Sequence, residues 1–337
     1  MTAAPRALSL PVFDALAAGG ASLAAFAAFS LVGAEEAGPL MLTWFVPLSL
    51  ALNWPHFMAS YHVLYTTPGA VRRYPAAAVV VPILLAAYAL AAAAFETRWP
   101  WMLRAFHAAA GVYLAWHYAG QTWGTMAAFA HVEGIRVEKA ARGLIRANLS
   151  VLLAWHALWA ARAASPLVAG FDAAYQALSA AALLSAALGA AGLFLLARAA
   201  GRLPARVVLP WLALHVGYAF LYRFPGQGYW MQIVQLSHAL QYLSFPLRVQ
   251  TNRDAQAGLR PAPWRPAAYY LALAAGGLGA FYALPRAADG LFGTGTGQAG
   301  MAVLDALVIH HYFVDGVIWR LGDPDVRRDL FAHLGPH

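Results

Sequence analysis

The stretch VIHHYFVDGVIWRL, residues 308–321, sets two adjacent histidines and an aspartate inside a run that is otherwise apolar enough to span a bilayer. An ionisable group at mid-membrane costs at least ~2.5–3.5 kcal/mol on insertion scales, so such groups usually face one another or a polar cavity. The whole chain shares this character. Of its 337 residues 61% are hydrophobic and 11% charged, whereas about a quarter of the residues of a soluble domain are charged. The expected fold is therefore all-α, a polytopic membrane bundle forming one domain over 1–337. Twelve Trp and fifteen Tyr suit the headgroup boundary as well as packing. With no cysteine, disulfides, thiolate sites and iron–sulfur clusters are excluded, and any metal depends on His, carboxylate or backbone ligands.

Working outward, ten apolar spans are predicted, at 8–32, 40–65, 76–95, 101–130, 147–164, 175–199, 207–224, 229–249, 267–286 and 299–321. Most approach the ~20 residues a crossing helix needs. With both termini cytoplasmic, Arg6, Arg72, Arg73, Arg136, Lys139, Arg142, Arg146, Arg198, Arg202, Arg206, Arg248, Arg253, Arg260, Arg265, Arg320, Arg327 and Arg328 share one side. These are seventeen of the twenty-two Lys and Arg, the bias of the positive-inside rule. The net charge of +8 thus orients the chain and requires no nucleic acid. The first span reads as retained rather than as a cleaved signal peptide, because its removal would upset this pattern. Polar connections are expected at 131–148, as a short interfacial helix, and at 251–266. The glycine-rich segment 289–300 reads as a flexible connection or lid, and its GTGTG lacks the context of a phosphate loop. Spans 3, 6 and 9, rich in Ala and Gly, read as closely packed scaffold.

Within the spans the histidines fall in four phrases, NWPHFMASYH (53–62), WHYAGQTWG (116–124), QIVQLSHALQY (232–242) and VIHHYFVD (308–315). All four spans run from the outer face inward. At 1.5 Å per residue His238 and His310 lie roughly 14–17 Å below the outer boundary, and His56 and His117 roughly 20–24 Å below it. One shared layer is therefore expected, and neutral imidazole is the commonest ligand for zinc, copper and iron. A single such histidine could equally be hydrogen-bonded to a neighbouring helix. On span 8, Gln232, Gln235, His238, Gln241 and Tyr242 form one polar stripe; interhelical bonding explains such glutamines equally well. On span 4, His117, Gln121 and Gly124 share a face. His311 and Asp315 stand four apart, so that the carboxylate can reach the imidazole N–H and orient it. His310 points about 100° away from His311, so one of the two is the ligand. Pro55 frees a carbonyl one turn back beside His56. Trp54, Tyr61, Trp116, Tyr118, Trp123, Tyr242, Tyr312 and Trp319 could wall an apolar cavity or simply pack. His62, His107, His156 and His215 read as packed or interfacial, and His131, His333 and His337 as solvated. Asp14 and Asp305 are intramembrane carboxylates, either second partners of the site or proton relays.

The phrases PHFMAS (55–60), HYAGQTWG (117–124), SHALQYLSFPLR (237–248) and HHYFVDGVIWR (310–320) together resemble the bacterial β-carotene 15,15′-dioxygenases related to bacteriorhodopsin-related protein, the Brp/Blh group. Some forty residues carry the likeness. It implies a polytopic helical protein of a bacterial inner membrane, a histidine-bound non-haem iron, molecular oxygen, and a hydrophobic lipid or isoprenoid/carotenoid-like substrate. Ligand roles would fall to His56, His117, His238 and His310. Spacing to Asp315 matches His310, while spacing to Arg320 matches His311. Gln121, Tyr242 and Asp315 are the candidate catalytic residues around the iron. Two other classes fit the same residues. One is a proton or solute transporter using Asp14, Asp305, Asp315 and the histidines; the other is a membrane acyltransferase with one intramembrane histidine as base.

Overall fold

The long apolar runs close their own backbone hydrogen bonds as helices, as a bilayer demands. The computed structural model describes residues 7–164, 170–224, 229–292 and 297–334, and no strand occurs among them. In order they form α1 (Pro11–Val32), α2 (34–66), a short α3 (Ala70–Arg73), α4 (Ala76–Ala94), α5 (Trp101–Val132), α6 (Lys139–Ala164) and α7 (Phe171–Ala200). Then come α8 (Ala205–Arg223), α9 (Tyr229–Gln256), α10 (Trp264–Phe292), α11 (Gln298–Ile318) and a short α12 (Pro324–Phe331).

Seven of these, α1, α4, α6, α7, α8, α10 and α11, are long and apolar enough to cross a membrane. The other three long helices, α2, α5 and α9, carry His56, His117 and His238, and inward-facing polar residues dilute their hydropathy.

Three boundaries differ from expectation. The segment 131–148 is helical as expected over its later part, where the Arg142 N–H donates to the Glu138 carbonyl, but this helix is not separate: α5 runs on to Val132 and α6 begins at Lys139. Likewise α9 continues to Gln256, through much of the expected connection. The glycine-rich segment is helical at both ends, while its residues 293–296, like Arg6 and His337, lie outside the described residues.

Helices α6 and α7 pack where α7 lacks side chains. A Cβ on Gly192 would stand 2.8 Å from the Ala141 carbonyl oxygen and 2.7 Å from Ile145, and one on Gly189 2.6 Å from Asn148. Small residues let helices approach this closely in lipid, as expected for scaffold.

The α12 cap, unforeseen in the sequence, has a local cause. Asp323 accepts the Asp325 N–H at 3.0 Å, and Pro324 opens the helix, a favourable N-terminal pairing. Leu330 and Phe331 are buried, and Asn252 on α9 donates to the carbonyls of Asp329 and Leu330 at 2.8 and 3.0 Å.

Candidate metal centre

Four helices, α2, α5, α9 and α11, bring their polar residues to one buried point. A π-type widening at Ser49–Asn53 precedes Trp54 and Pro55. Pro55 has no N–H to offer the Ala51 carbonyl, and the Tyr270 hydroxyl donates to that carbonyl instead. The helix thereby continues into His56 with its freed acceptor satisfied.

His56 Nε2 lies 2.9 Å from His311 Nε2, and His117 Nε2 lies 2.8 Å from His238 Nε2. Asp315 Oδ2 stands 3.5 Å from His311 Nε2 and 3.8 Å from His117 Nε2. The ligand atoms of His56, His117, His311 and Asp315 all lie within 4.8 Å of one another, and all four residues are buried. His238 joins this group at its His117 side.

These spacings can be tested against coordination geometry. With metal–nitrogen bonds of about 2.0–2.1 Å, neighbouring ligand atoms stand about 3.0 Å apart at right angles and about 3.4 Å apart in a tetrahedron. The four closest separations, 2.8 to 3.8 Å, bracket both values, within a group whose atoms spread over as much as 4.8 Å. Charge points the same way. The Asp315 side chain is 7% exposed and its only ion-pair neighbours are His117 and His311, with no Arg or Lys on it among the described residues. A buried carboxylate without a cation is costly, and a metal ion among the imidazoles would supply one. Asp315 Oδ1 has no hydrogen-bond partner. The donor set therefore fits a metal ion; with imidazole and carboxylate donors only, its identity is open among zinc, iron and copper.

The surroundings hold the rings. Tyr312 stacks on His117 at 4.4 Å between centroids, Phe57 lies 4.1 Å from His311, and Tyr118 lies 4.4 Å from His238. Gln121 donates to the His238 carbonyl at 2.9 Å, tying α5 to α9. The Tyr242 ring is 4.2 Å from that of His56. Its hydroxyl is fixed between Ser60 Oγ at 2.6 Å and the Trp319 N–H at 2.8 Å.

Several expectations change. His310 does not enter the cluster. Its Nε2 bonds the Ala77 carbonyl at 2.8 Å and its ring stacks on Tyr61, while His311, one step round the helix, points inward. Asp315 faces the inner Nε2 atoms rather than an outer ring nitrogen of His311, so it stands where it could hold a metal ion with them. Nδ1 of His56 and of His311 has no hydrogen-bond partner.

Asp14 is no part of the site. It accepts the N–H groups of Leu8 and Ser9 at 2.7 and 3.1 Å and the Ser9 hydroxyl at 2.8 Å, with Arg206 at 3.7 Å. Asp305 pairs with His107 at 3.2 Å. His62 packs on Tyr269, His156 bonds the Tyr218 hydroxyl and His215 the Trp211 carbonyl, all away from the centre as expected. His131 and His333 are not simply solvated: the first packs on Phe331, the second bonds the Ala7 carbonyl.

Of the eight aromatics, Trp116, Tyr242 and Trp319 line a cavity beside His117 and Asp315, whereas Trp54 packs on Phe281 and Trp123 in the general core. Ser60 was missed. Its signal was present, four residues after His56 and so on the same face.

Comparison of the chain with protein-family models, with curated proteins and with solved structures finds no match to any of the three.

Proposed function

We propose that this chain is a membrane-embedded, histidine-ligated metal oxygenase, with non-haem iron as the metal and a hydrophobic lipid or isoprenoid/carotenoid-like molecule as substrate. Its ten long helices would all cross a bacterial inner membrane, with both termini cytoplasmic. His56, His117, His311 and Asp315 would hold the ion, and His238 would complete the set.

The observation that carries this reading is the Asp315 carboxylate, buried among converging imidazole nitrogens from separate helices with no arginine or lysine on it among the described residues. Histidines with one carboxylate and an open position form the donor class of non-haem iron oxygenases. Here the side occupied by His117 and Asp315 adjoins a cavity of about 210 Å³. An iron held by these residues would supply a place to bind and activate molecular oxygen. The protein's own part is to orient and to exclude water. Phe57, Tyr312 and Tyr118 wall the rings, and Tyr242, pinned by Ser60 and Trp319, presents a fixed hydroxyl at the cavity edge.

The translocation reading is weakened by the separation of the carboxylates, since Asp14 and Asp305 are each engaged elsewhere. A lone histidine base would leave the convergence of the others without purpose. Metal analysis of the purified protein and of the His117→Ala, His238→Ala variant tests the proposal. Near-stoichiometric iron, lost in the variant, is expected; no metal in either protein would overturn it.

A further inference from the structure

The cavity beside the centre has two conceivable approaches. Towards α12 lies a larger polar pocket of about 610 Å³, lined by Arg73, Arg253 and Asp329 among others. Trp319 belongs to the walls of both spaces, its N–H is tied to the Tyr242 hydroxyl, and Leu321 and Leu330 also line the cavity. A pinned indole thus stands between the two spaces.

The other approach is lateral, between α5 and α11. Gly120 and Gly124 line the cavity from α5, Gly120 is exposed, and a Cβ on either would meet nothing within 4 Å. Across from them Gly316 leaves room for the Trp116 ring, which a Cβ there would meet at 2.8 Å. Trp116 is 47% exposed on the same outer face as Val112 and Tyr113, a surface fit for lipid.

At the closed end of this cleft the lining is His117, Gln121 and Asp315. Asp315 Oδ1 and Gln121 Oε1 are both buried acceptors without partners. The Gln121 amide cannot turn to relieve this, because its N–H donates to the His238 carbonyl. Such acceptors call for a cation or a hydrogen-bond donor, so this polar end belongs to the metal centre, and a chain in the cleft would lie against its apolar walls.

We infer that the cleft between α5 and α11 is a lateral port, through which a single hydrocarbon chain of a bilayer-dissolved molecule enters and reaches His117 and Asp315. Gly120 and Gly124 set its width and Trp116 forms its outer lip. The cavity is smaller than the roughly 300–1,000 Å³ of pockets that enclose a drug-sized ligand, which suits one slender chain whose remainder stays in lipid. The port's chemical purpose rests on the oxygenase reading, but occupation of the cleft does not require the metal.

The test is photolabelling in phosphatidylcholine vesicles with a hexadecyl diazirine, adducts being mapped by peptide mass spectrometry. Adducts are expected at 116–124 and 316–319 in excess of those on Leu183 and Leu184, which are widely exposed on α7 and report ordinary lipid contact. Gly120→Leu, with open space for its side chain, should reduce the cleft adducts to that background while bound metal is unchanged. Trp116→Ala should raise them. Labelling of the cleft no greater than that of Leu183 and Leu184, or undiminished in Gly120→Leu, would overturn the port. Cleft labelling as expected in a protein without metal would retain the port and remove the oxygenase reading.

Discussion

The α6–α7 pair and the quartet α2, α5, α9 and α11 meet the demands of an apolar solvent in opposite ways. Helix α7 turns its small and polar residues inward, with Ser179, Ser185, Gly189 and Gly192 buried and Leu183, Leu184 and Phe194 widely exposed. The buried polar groups where the two helices meet are satisfied by one another or by α8, although Nε2 of His156 on the α6 face toward Tyr118 has no partner. Asn148 donates to Ser185 Oγ and accepts the Trp211 N–H, and Trp155 donates to Ser179 Oγ. In the quartet, imidazole meets imidazole and a carboxylate, and several polar atoms are left without partners. Open polar atoms occur singly elsewhere in the bundle, but in the quartet they gather around one point. Hydropathy alone finds α11 but passes over its three partners α2, α5 and α9, which fall outside the set of strongly apolar spans.

Substitutions should separate the two regions. The largest contrast lies within one helix. His311→Ala should cost more bound metal than the ~10–100-fold typical of removing an outer partner, whereas His310→Ala, which removes the bond to Ala77 and the stacking on Tyr61, should retain the metal. Elemental analysis of both variants decides it, and equal losses would dissolve the distinction drawn between neighbouring residues. In the scaffold, Gly192→Leu forces side-chain atoms against the Ala141 carbonyl and Ile145. Overpacking of this kind costs ~1–3 kcal/mol, so the thermal midpoint in detergent should fall while metal content per folded protein stays unchanged.

A smaller effect is expected for Gln121→Leu, which removes one interhelical bond to the His238 carbonyl. Such bonds average ~0.6 kcal/mol, with a maximum of ~1.7, and unfolding in mixed micelles can measure the difference. The smallest change concerns α12, outside the spanning helices. Partial burial pushes the Asp323 carboxyl up, but the Asp325 N–H, the Arg73 guanidinium and the Tyr74 hydroxyl together hold it below the usual carboxylate range. Its contribution is therefore present above the unfolded value of about 3.9 and is lost as pH falls through the lower folded value. Hydrogen exchange at 324–331 should accelerate only in that acid window, and Asp323→Asn should abolish the dependence.

The common depth of His56, His117 and His238 could be read from the chain because helical rise converts sequence position to height. The choice between His310 and His311 could not. It depends on the rotation of α11, which is fixed by the packing of α4, where Ala77 presents its carbonyl to His310. The roles of Asp14 and Asp305 were illegible for a related reason. Their partners, Leu8, Ser9 and His107, are either turn backbone or a residue nearly two hundred positions away. The scaffold was plain from Ala and Gly content, since close approach needs only small residues. The α12 cap left just a short signal, an Asp-Pro pair at 323–324, amid charged residues that resemble a tail.

X-ray absorption at the iron edge on the purified protein addresses the convergence of imidazoles on one ion without passing through a variant. A first shell of nitrogen and oxygen at roughly 2.0–2.2 Å, with the outer-ring scattering of at least three imidazoles, is expected. Absence of iron would contradict the oxygenase reading, and iron whose shell lacks imidazole would contradict a metal held by His56, His117, His311 and Asp315 with His238 beside them.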